Sequence, residues 1–346
     1  MMLPRRQRVD DASQAGEARR AVDALCRALG FGALRTAQAA LVATELATNL
    51  VKHSLGAGGE LVFTPLLQAD ATGLEILSLD RGPGIANVAL CLRDGHSSAG
   101  TAGTGLGAIR RQSSTFDIFS APGQGTAVLS RLWRDAPPAV PPALALGAVC
   151  LPVQGETENG DAWAVRYGPL STRFLLVDGL GHGPDAAAAS ALAVALFEQN
   201  AQRPLEPLLQ LIHAGLRGTR GAAVALAEWV AATGLVHFVG VGNLSGRLLD
   251  GGRNRHMLSH NGTAGVEARK IQVYPYPWPA GGLMVLHSDG LAAHWSLAAY
   301  PGLADRDPAL IAGMLYRDHQ RPRDDSTVVV ARVAASNAVH GPQAAP

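Results

Sequence analysis

The chain predicts an α+β protein in two domains, and three observations carry that reading. Two amphipathic helical patterns open the chain and lead into strand-like runs. The later part is crowded with short strands and has few helices. Between them, DAPPAVPP at 135–142 breaks every pattern around it, because proline at that density holds the backbone extended and forbids helix or central strand. With 346 residues, there is enough chain for two ordinary cores. The expected division is a first domain at 1–134, a linker at 135–142, a second domain at 143–334 and a polar, proline-bearing tail at 335–346.

The elements follow in order. SQAGEARRAVDALCRAL places Ala18, Val22, Leu25 and Leu29 on one helical face. LRTAQAALVATELATNLVKHS repeats that period through Leu34, Leu41, Val42, Leu46 and Leu50. Two strands come next, ELVFTPLLQ and GLEILSLD, then a loop, the helix GLGAIRRQ and a hairpin of TFDIFS and GTAVLSRLW turned by APGQG. The stretch RRQRVDD shows no clear strand. This half reads as helices on one face of a mostly antiparallel sheet. The second half offers WAVRYG, TRFLLVD, AVALAEW, LVHFVGVG, GRLLD, RHMLS, KIQVYP, LMVLHSD and TVVVARV as strands, with helices at GPDAAAASALAVALFEQNA and EPLLQLIHAGLRG. It reads as two packed sheets with helices outside.

Bulk properties exclude several classes. Hydrophobic residues make up 47%, too many for a disordered chain. A formal net charge of +1 gives no overall footprint for nucleic acid or membrane. Cys26, Cys91 and Cys150 are isolated, as expected of free thiols in a reducing compartment. ALALGAVCL and AAAASALAVALF are too short to span a bilayer, and MMLPRRQR has no apolar run behind it, so the expectation is a soluble cytoplasmic protein. Lys52 and Lys270 are the only lysines, and neither follows a P-loop or sits in a kinase-type VAIK strand.

Two groups of residues could carry chemistry. In the first half, Glu45 and Asn49 share a helical face that Lys52 and His53 continue. Asp80 ends a strand, and Gly82 and Gly84 after it leave bare backbone for a ligand. GTGLG, with Gly103, Gly105 and Gly107, opens a helix whose first N–H groups can hold phosphate. In the second half, LVDGLGHGPDAAAAS (176–190) puts Asp178 at the end of an apolar strand. Asp161, Asp289, Asp324 and Asp325 have similar settings beside apolar runs. One Asp–Gly pair alone is a turn. Several carboxylates on one edge of a sandwich repel one another and are best relieved by divalent cations. Oxygen-only donors favour Mg²⁺ or Mn²⁺ over Zn²⁺. Asp178 is then a metal ligand, with the carbonyl of Gly179 turned to the same ion.

The order ELATN, DRGPG, GTGLG, GQGT, over about 130 residues, resembles the ATP-binding fold of gyrase, histidine kinases and anti-sigma-factor serine kinases, above all the RsbT-like kinases of the bacterial stress-response switch. That resemblance implies an α/β sandwich binding ATP. Asn49 would hold Mg²⁺ at the phosphates, with Lys52 in the same nucleotide site. Asp80 would accept from the adenine amino group, and Gly82 and Gly84 would line the base pocket. Gly103, Gly105 and Gly107 would form the lid hinge, Thr126 would contact the adenine side, and Glu45 would be the base for a substrate hydroxyl.

In the second half NGDAW, VDGLGHG, GVGNLSG, HSDG and DDSTVVV, from about 143 to 334, resemble metal-dependent serine/threonine phosphatases of the SpoIIE and RsbX type. The resemblance implies two Mn²⁺ or Mg²⁺ ions on Asp161, Asp178, Gly179, Asp289 and Asp324, with Asp178 and Asp289 central to catalysis and a bridging water as nucleophile. Asp325 ranks behind Asp324, His182 is read first as a turn residue, and Val165 replaces an acid common in relatives.

The leading functional expectation is a bifunctional switch enzyme, with a kinase domain and a phosphatase domain acting on serine or threonine of STAS-type anti-sigma antagonists. A second is a phosphatase whose ATP-binding domain is a sensor. A third is a module that sequesters a sigma factor without turnover.

Overall fold

The computed structural model describes residues 4–334, apart from 57, 69–70, 93–104 and 139–142. The first half contains β1 (Arg5–Val9), α1 (Ser13–Ala28), α2 (Ala33–His53), β2 (Gly59–Gln68), β3 (Ala71–Asp80), α3 (Val88–Cys91), α4 (Gly105–Gln112), β4 (Thr115–Ser120) and β5 (Thr126–Trp133). Its strands form one antiparallel sheet in the order β1-β2-β3-β5-β4. The segment RRQRVDD does form a strand. Arg5–Val9 lies on the sheet edge against Gly59–Phe63, and only Val9 is fully buried, so the sequence shows no alternating stripe.

The second half contains β6 (Leu144–Leu151), β7 (Asp161–Tyr167), β8 (Ser171–Gly179), α5 (Pro184–Asn200), α6 (Leu205–Gly215), β9 (Ala222–Val230), β10 (Leu235–Val241), β11 (Ser245–Asp250), β12 (Arg253–Met257), β13 (Tyr274–Pro277), β14 (Leu283–His287), α7 (Pro308–His319) and β15 (Ser326–Val333). Two sheets, β13-β10-β9-β8-β7 and β12-β11-β14-β15-β6, pack face to face around Phe174, Leu176, Trp229, Phe238, Met284, Leu286 and Val329. Helices α5 and α6 cover the first sheet through Ala189, Ala193, Phe197, Leu208 and Ile212. The strand expected in KIQVYP lies later, at Tyr274–Pro277. The run ALALGAVCL, weighed only as a membrane span, is the edge strand β6.

Helix α7 is the main departure from expectation. Its residues 308–317 are all buried, because it lies between the two halves of the molecule. On one side it meets Leu77, Leu79 and Leu129 of the first sheet, and on the other Val149, Val285, Val328 and Val330. The first sheet is therefore covered on both faces. Along β3, Leu74 and Ile76 face α1 and α2, while Leu77 and Leu79 face α7. This is why GLEILSLD reads as an almost continuous apolar run. Gly147 of β6 admits the helix, since a Cβ there would collide with the backbone of Ala309. A buried ion network closes the seam. Arg131 lies 2.7 Å from Glu75 and donates twice to Asp307, the N-cap of α7, at 2.7 and 2.8 Å.

Candidate functional sites

In the first half, α2 and the ends of β3 and β5 bring two groups of residues together. Glu45 and Asn49 stand on adjacent turns of α2, and the start of α4 packs directly on them. A Cβ at Gly105 would lie 3.3 Å from Glu45 Oε2 and 3.5 Å from Asn49 Oδ1. A carboxylate, a side-chain amide and a helix N-terminus therefore converge on one point, and glycine at 105 leaves the most room between them. The second group centres on Asp80, whose Oδ1 accepts from the N–H of Gly82 at 2.7 Å and of Thr126 at 3.2 Å. Burial pushes its carboxyl above the usual range, and those two donors oppose the shift. Gly84, at φ 74°, packs so tightly on the carbonyl of Ala121 that no side chain fits. Thr126 Oγ1 shares a 2.9 Å hydrogen bond with Ser120. Gly107 is buried inside α4, and Lys52 is exposed at the end of α2. Gly103 lies outside the described residues.

In the second half, the register of β7 on β8 sets Asp161 directly opposite Asp178. The loops after β14 and before β15 deliver Asp289 and Asp324 to the same edge. The Asp289 side chain lies close enough to those of Asp178 and Asp324 to raise the pKa of both. Burial, with the neighbouring carboxylates of Asp161, Asp289 and Asp324 behind it, pushes Asp178 up to about 9. Asp161 is pushed up to about 7, chiefly by burial, and Asp324 to about 6 by burial and then Asp289. Among the described residues no three such side chains already enclose a cation position. Gathered at one buried edge, the four carboxyls repel one another, which helps to raise Asp161, Asp178 and Asp324, and only a positive charge among them relieves that repulsion. A divalent cation at that edge would meet hard oxygen donors only, so the donor set fits Mg²⁺ or Mn²⁺.

The supporting residues were only partly foreseen. Ser288 Oγ donates to Asp161 Oδ2 at 2.6 Å, and Asn243 Nδ2 to Asp289 Oδ2 at 2.5 Å. Both lie inside motifs already singled out, HSDG and GVGNLSG, but side-chain partners cannot be paired across 46 or 127 residues by spacing. Asp325 has a separate duty. Its two oxygens accept from the N–H of Val153 at 2.7 Å and Gly160 at 2.6 Å, tying down the loop that leads to Asp161. Gly179 sits under α5, where a Cβ would overlap Ala186, and its N–H donates to Gly160 O at 3.0 Å. His182 is exposed, 3.3 Å from Glu156.

One residue of the second half reaches the Asp80 group of the first half and was not anticipated. Arg317 of α7 is 4% exposed at its side chain. Its guanidinium donates to the carbonyl of Asp80 and, at 2.8 Å, to that of Gln124. No helix among the described residues is long and apolar enough to cross a membrane.

Comparison with known proteins agrees with this architecture. The family described as "Stage II sporulation protein E (SpoIIE)" matches residues 169–334, and "Histidine kinase-like ATPase domain" matches residues 9–131. The chain is 29% identical over 109 residues to "Serine/threonine-protein kinase RsbT" of Bacillus subtilis (strain 168), covering 32% of this chain and 80% of that kinase. A solved structure described as "The bacterial stressosome: a modular system that has been adapted to control secondary messenger signaling" aligns at 30% identity with a TM-score of 0.51, over 55% of this chain and 99% of that one. The chain joins an N-terminal domain of the histidine kinase-like ATPase family, homologous to an RsbT kinase, to a C-terminal phosphatase domain of the stage II sporulation protein E family.

Proposed function

We propose that this chain is a partner-switching regulator with two opposed activities. Its domain at 1–134 phosphorylates serine or threonine of a STAS-type partner, and its domain at 143–334 removes phosphate from the same partner or a related one. The observation that carries the reading is the convergence of Asp161, Asp178, Asp289 and Asp324 at one sheet edge, in a chain whose other half sets Glu45 and Asn49 against the start of α4.

In the phosphatase half, the four aspartates would hold two Mn²⁺ or Mg²⁺ ions, which supply an acidified water and neutralise charge on the phosphoryl oxygens. Hydrolysis would replace the bond from phosphorus to the serine oxygen with one to the oxygen of water. Serine leaves with a proton, and inorganic phosphate is the second product. Ser288 fixes Asp161 by hydrogen bonding and Asn243 fixes Asp289, so the donors are oriented before substrate arrives. In the kinase half, ATP would rest its adenine on Asp80 and Thr126 and its phosphates at the mouth of α4, with Mg²⁺ on Asn49. Glu45 would take the proton of the partner hydroxyl as its oxygen attacks the γ-phosphorus and the bond to ADP breaks.

The test is a time course with labelled ATP and candidate STAS proteins. Asn49→Ala should lose transfer and keep hydrolysis, whereas Asp178→Ala should lose hydrolysis and keep transfer. Absence of both reactions across the candidates would defeat the proposal.

A second reading has its own observation, the Arg317 bonds to the backbone of the adenine pocket. In it, the N-terminal domain is a nucleotide sensor for the phosphatase. ATP would then change dephosphorylation with no phosphoryl transfer, which requires different affinities for ATP in two states of the molecule.

A further inference from the structure

A cavity of about 280 Å³ opens between the two halves and reaches the phosphatase site. One wall carries Arg6, Arg8 and Arg81 from the ATPase-like half, and the other carries Arg321 and Asp324. Asp324 belongs at once to this wall and to the carboxylate group around Asp178. A phosphoryl group presented to that group through the cavity therefore brings its neighbouring residues past guanidinium groups of the other domain.

Arginines outnumber acids in the cavity lining, Arg6, Arg8, Arg81, Arg317 and Arg321 against Glu60, Asp80 and Asp324. Arg8 and Arg81 are more than half exposed at their side chains, with Asp10 at 2.7 Å and Asp318 at 3.6 Å as their partners. Arg321 is exposed; its backbone N–H donates to Gly290 O at 2.7 Å and its carbonyl accepts from Asp324 N–H at 3.3 Å. Glu60 lies in their midst, and Arg6, Arg81 and Arg8 all act on it. Asp80 also lines the cavity, but its Oδ1 is engaged by backbone N–H groups. The chain as a whole is close to neutral at +1, so this positive density is local to the cleft and is not a general polyanion surface. Guanidinium groups suit carboxylates because two parallel N–H groups match two oxygens.

We infer that the interdomain cleft is a docking groove for acidic residues flanking the phosphorylated serine or threonine of the substrate, so that the ATPase-like domain supplies part of the phosphatase's substrate specificity. This rests on the phosphatase reading. It adds a substrate class, acidic phosphoprotein segments, and gives Arg8 and Arg81 a role that neither active site requires.

The experiment uses the full chain with Mn²⁺, p-nitrophenyl phosphate and two phosphoserine peptides. One peptide has Asp and Glu around the phosphoserine, and the other has Asn and Gln in their place. The expected result is a preference for the acidic peptide of about tenfold in kcat/KM, mostly in KM and lost at high salt. Arg8→Gln/Arg81→Gln should reduce the ratio of acidic to neutral peptide towards one, and Arg8→Lys/Arg81→Lys should retain most of it. The neutral peptide is the internal reference, because a variant that merely folds poorly loses both rates together. Equal hydrolysis of the two peptides by the parent chain, or an unchanged ratio in the glutamine variant, would overturn the inference. Failure of the parent chain to hydrolyse p-nitrophenyl phosphate would instead sink the phosphatase reading. Fluorescence anisotropy of the same labelled peptides still decides the groove in that case, since equal affinity for both peptides rejects it.

Discussion

Asp178 is an acid held among acids. Burial is the largest influence on its charge, and the carboxylates of Asp161, Asp289 and Asp324 add to it. Its position therefore costs folding energy unless something positive joins it. Adding Mn²⁺ at about a hundred times its dissociation constant should stabilise the chain by about 2.7 kcal/mol, measured by urea denaturation. Asp178→Asn should raise cation-free stability and abolish most of that increment. A full Mn²⁺ response in the variant would remove Asp178 from the ligand set. Arg131 is the opposite case, a cation between two acids. Removing it leaves Glu75 buried without its partner, and Arg131→Met should cost about 3–5 kcal/mol. Burial already holds the Glu75 carboxyl above its ordinary value despite the ion pair. A raised carboxyl favours the folded state when protonated. The variant's deficit should thus be largest at neutral pH, shrink as pH falls through the raised folded value and be fully relieved below the ordinary Glu value of 4.5. A deficit that grows on acidification would contradict this sign.

Helix α7 depends on close approach. Gly147→Ala places a methyl against the backbone of Ala309, which cannot yield without moving the helix. Gly313→Ala places one 2.5 Å from Leu77 Cδ2, the end of a side chain that can rotate. Both should destabilise, Gly147→Ala by about 1–3 kcal/mol and Gly313→Ala by less, as read from thermal unfolding. The same helix explains a gap in the sequence reading. PALIAGMLYRDH is buried all round, so no one-sided stripe marks it as a helix. By contrast α1 and α2 were legible because each keeps a wet face. Strand β1 failed for the reverse reason. It lies on an edge with charged residues outward, and alternation barely develops over Arg5–Val9.

At the scale of the molecule, α7 gives the two halves one continuous core. Val62, Leu77, Leu79, Phe119 and Leu129 are buried only because α7 and the β6–β15 sheet lie over them. An interface this apolar resists the relative motion usual between domains of one chain. Calorimetry should therefore find a single cooperative transition for the full chain, and two well-separated transitions would refute the shared core. Residues 1–134 expressed alone should expose that face and associate or precipitate. The Arg317 bonds to the backbone of Asp80 and Gln124 cross the same seam, and the arginine-lined cleft opens beside it.

Local chemistry was enough to locate much of this protein. Glycines beside acids, carboxylates at the ends of apolar runs and the Glu45–Asn49 helical spacing are written within a few residues of one another. The physical preferences behind them are short-range as well: turn geometry, strand ends and helix periodicity. Tertiary structure alone decided which distant groups meet. Asp161 faces Asp178 through strand register, Ser288 and Asn243 brace the acids from remote loops, and a helix near residue 310 seals the sheet of the first half. Those pairings follow from burying two faces of one sheet and closing a sandwich. The free energy of such burial depends on the area the whole chain removes from water, so no local window records it.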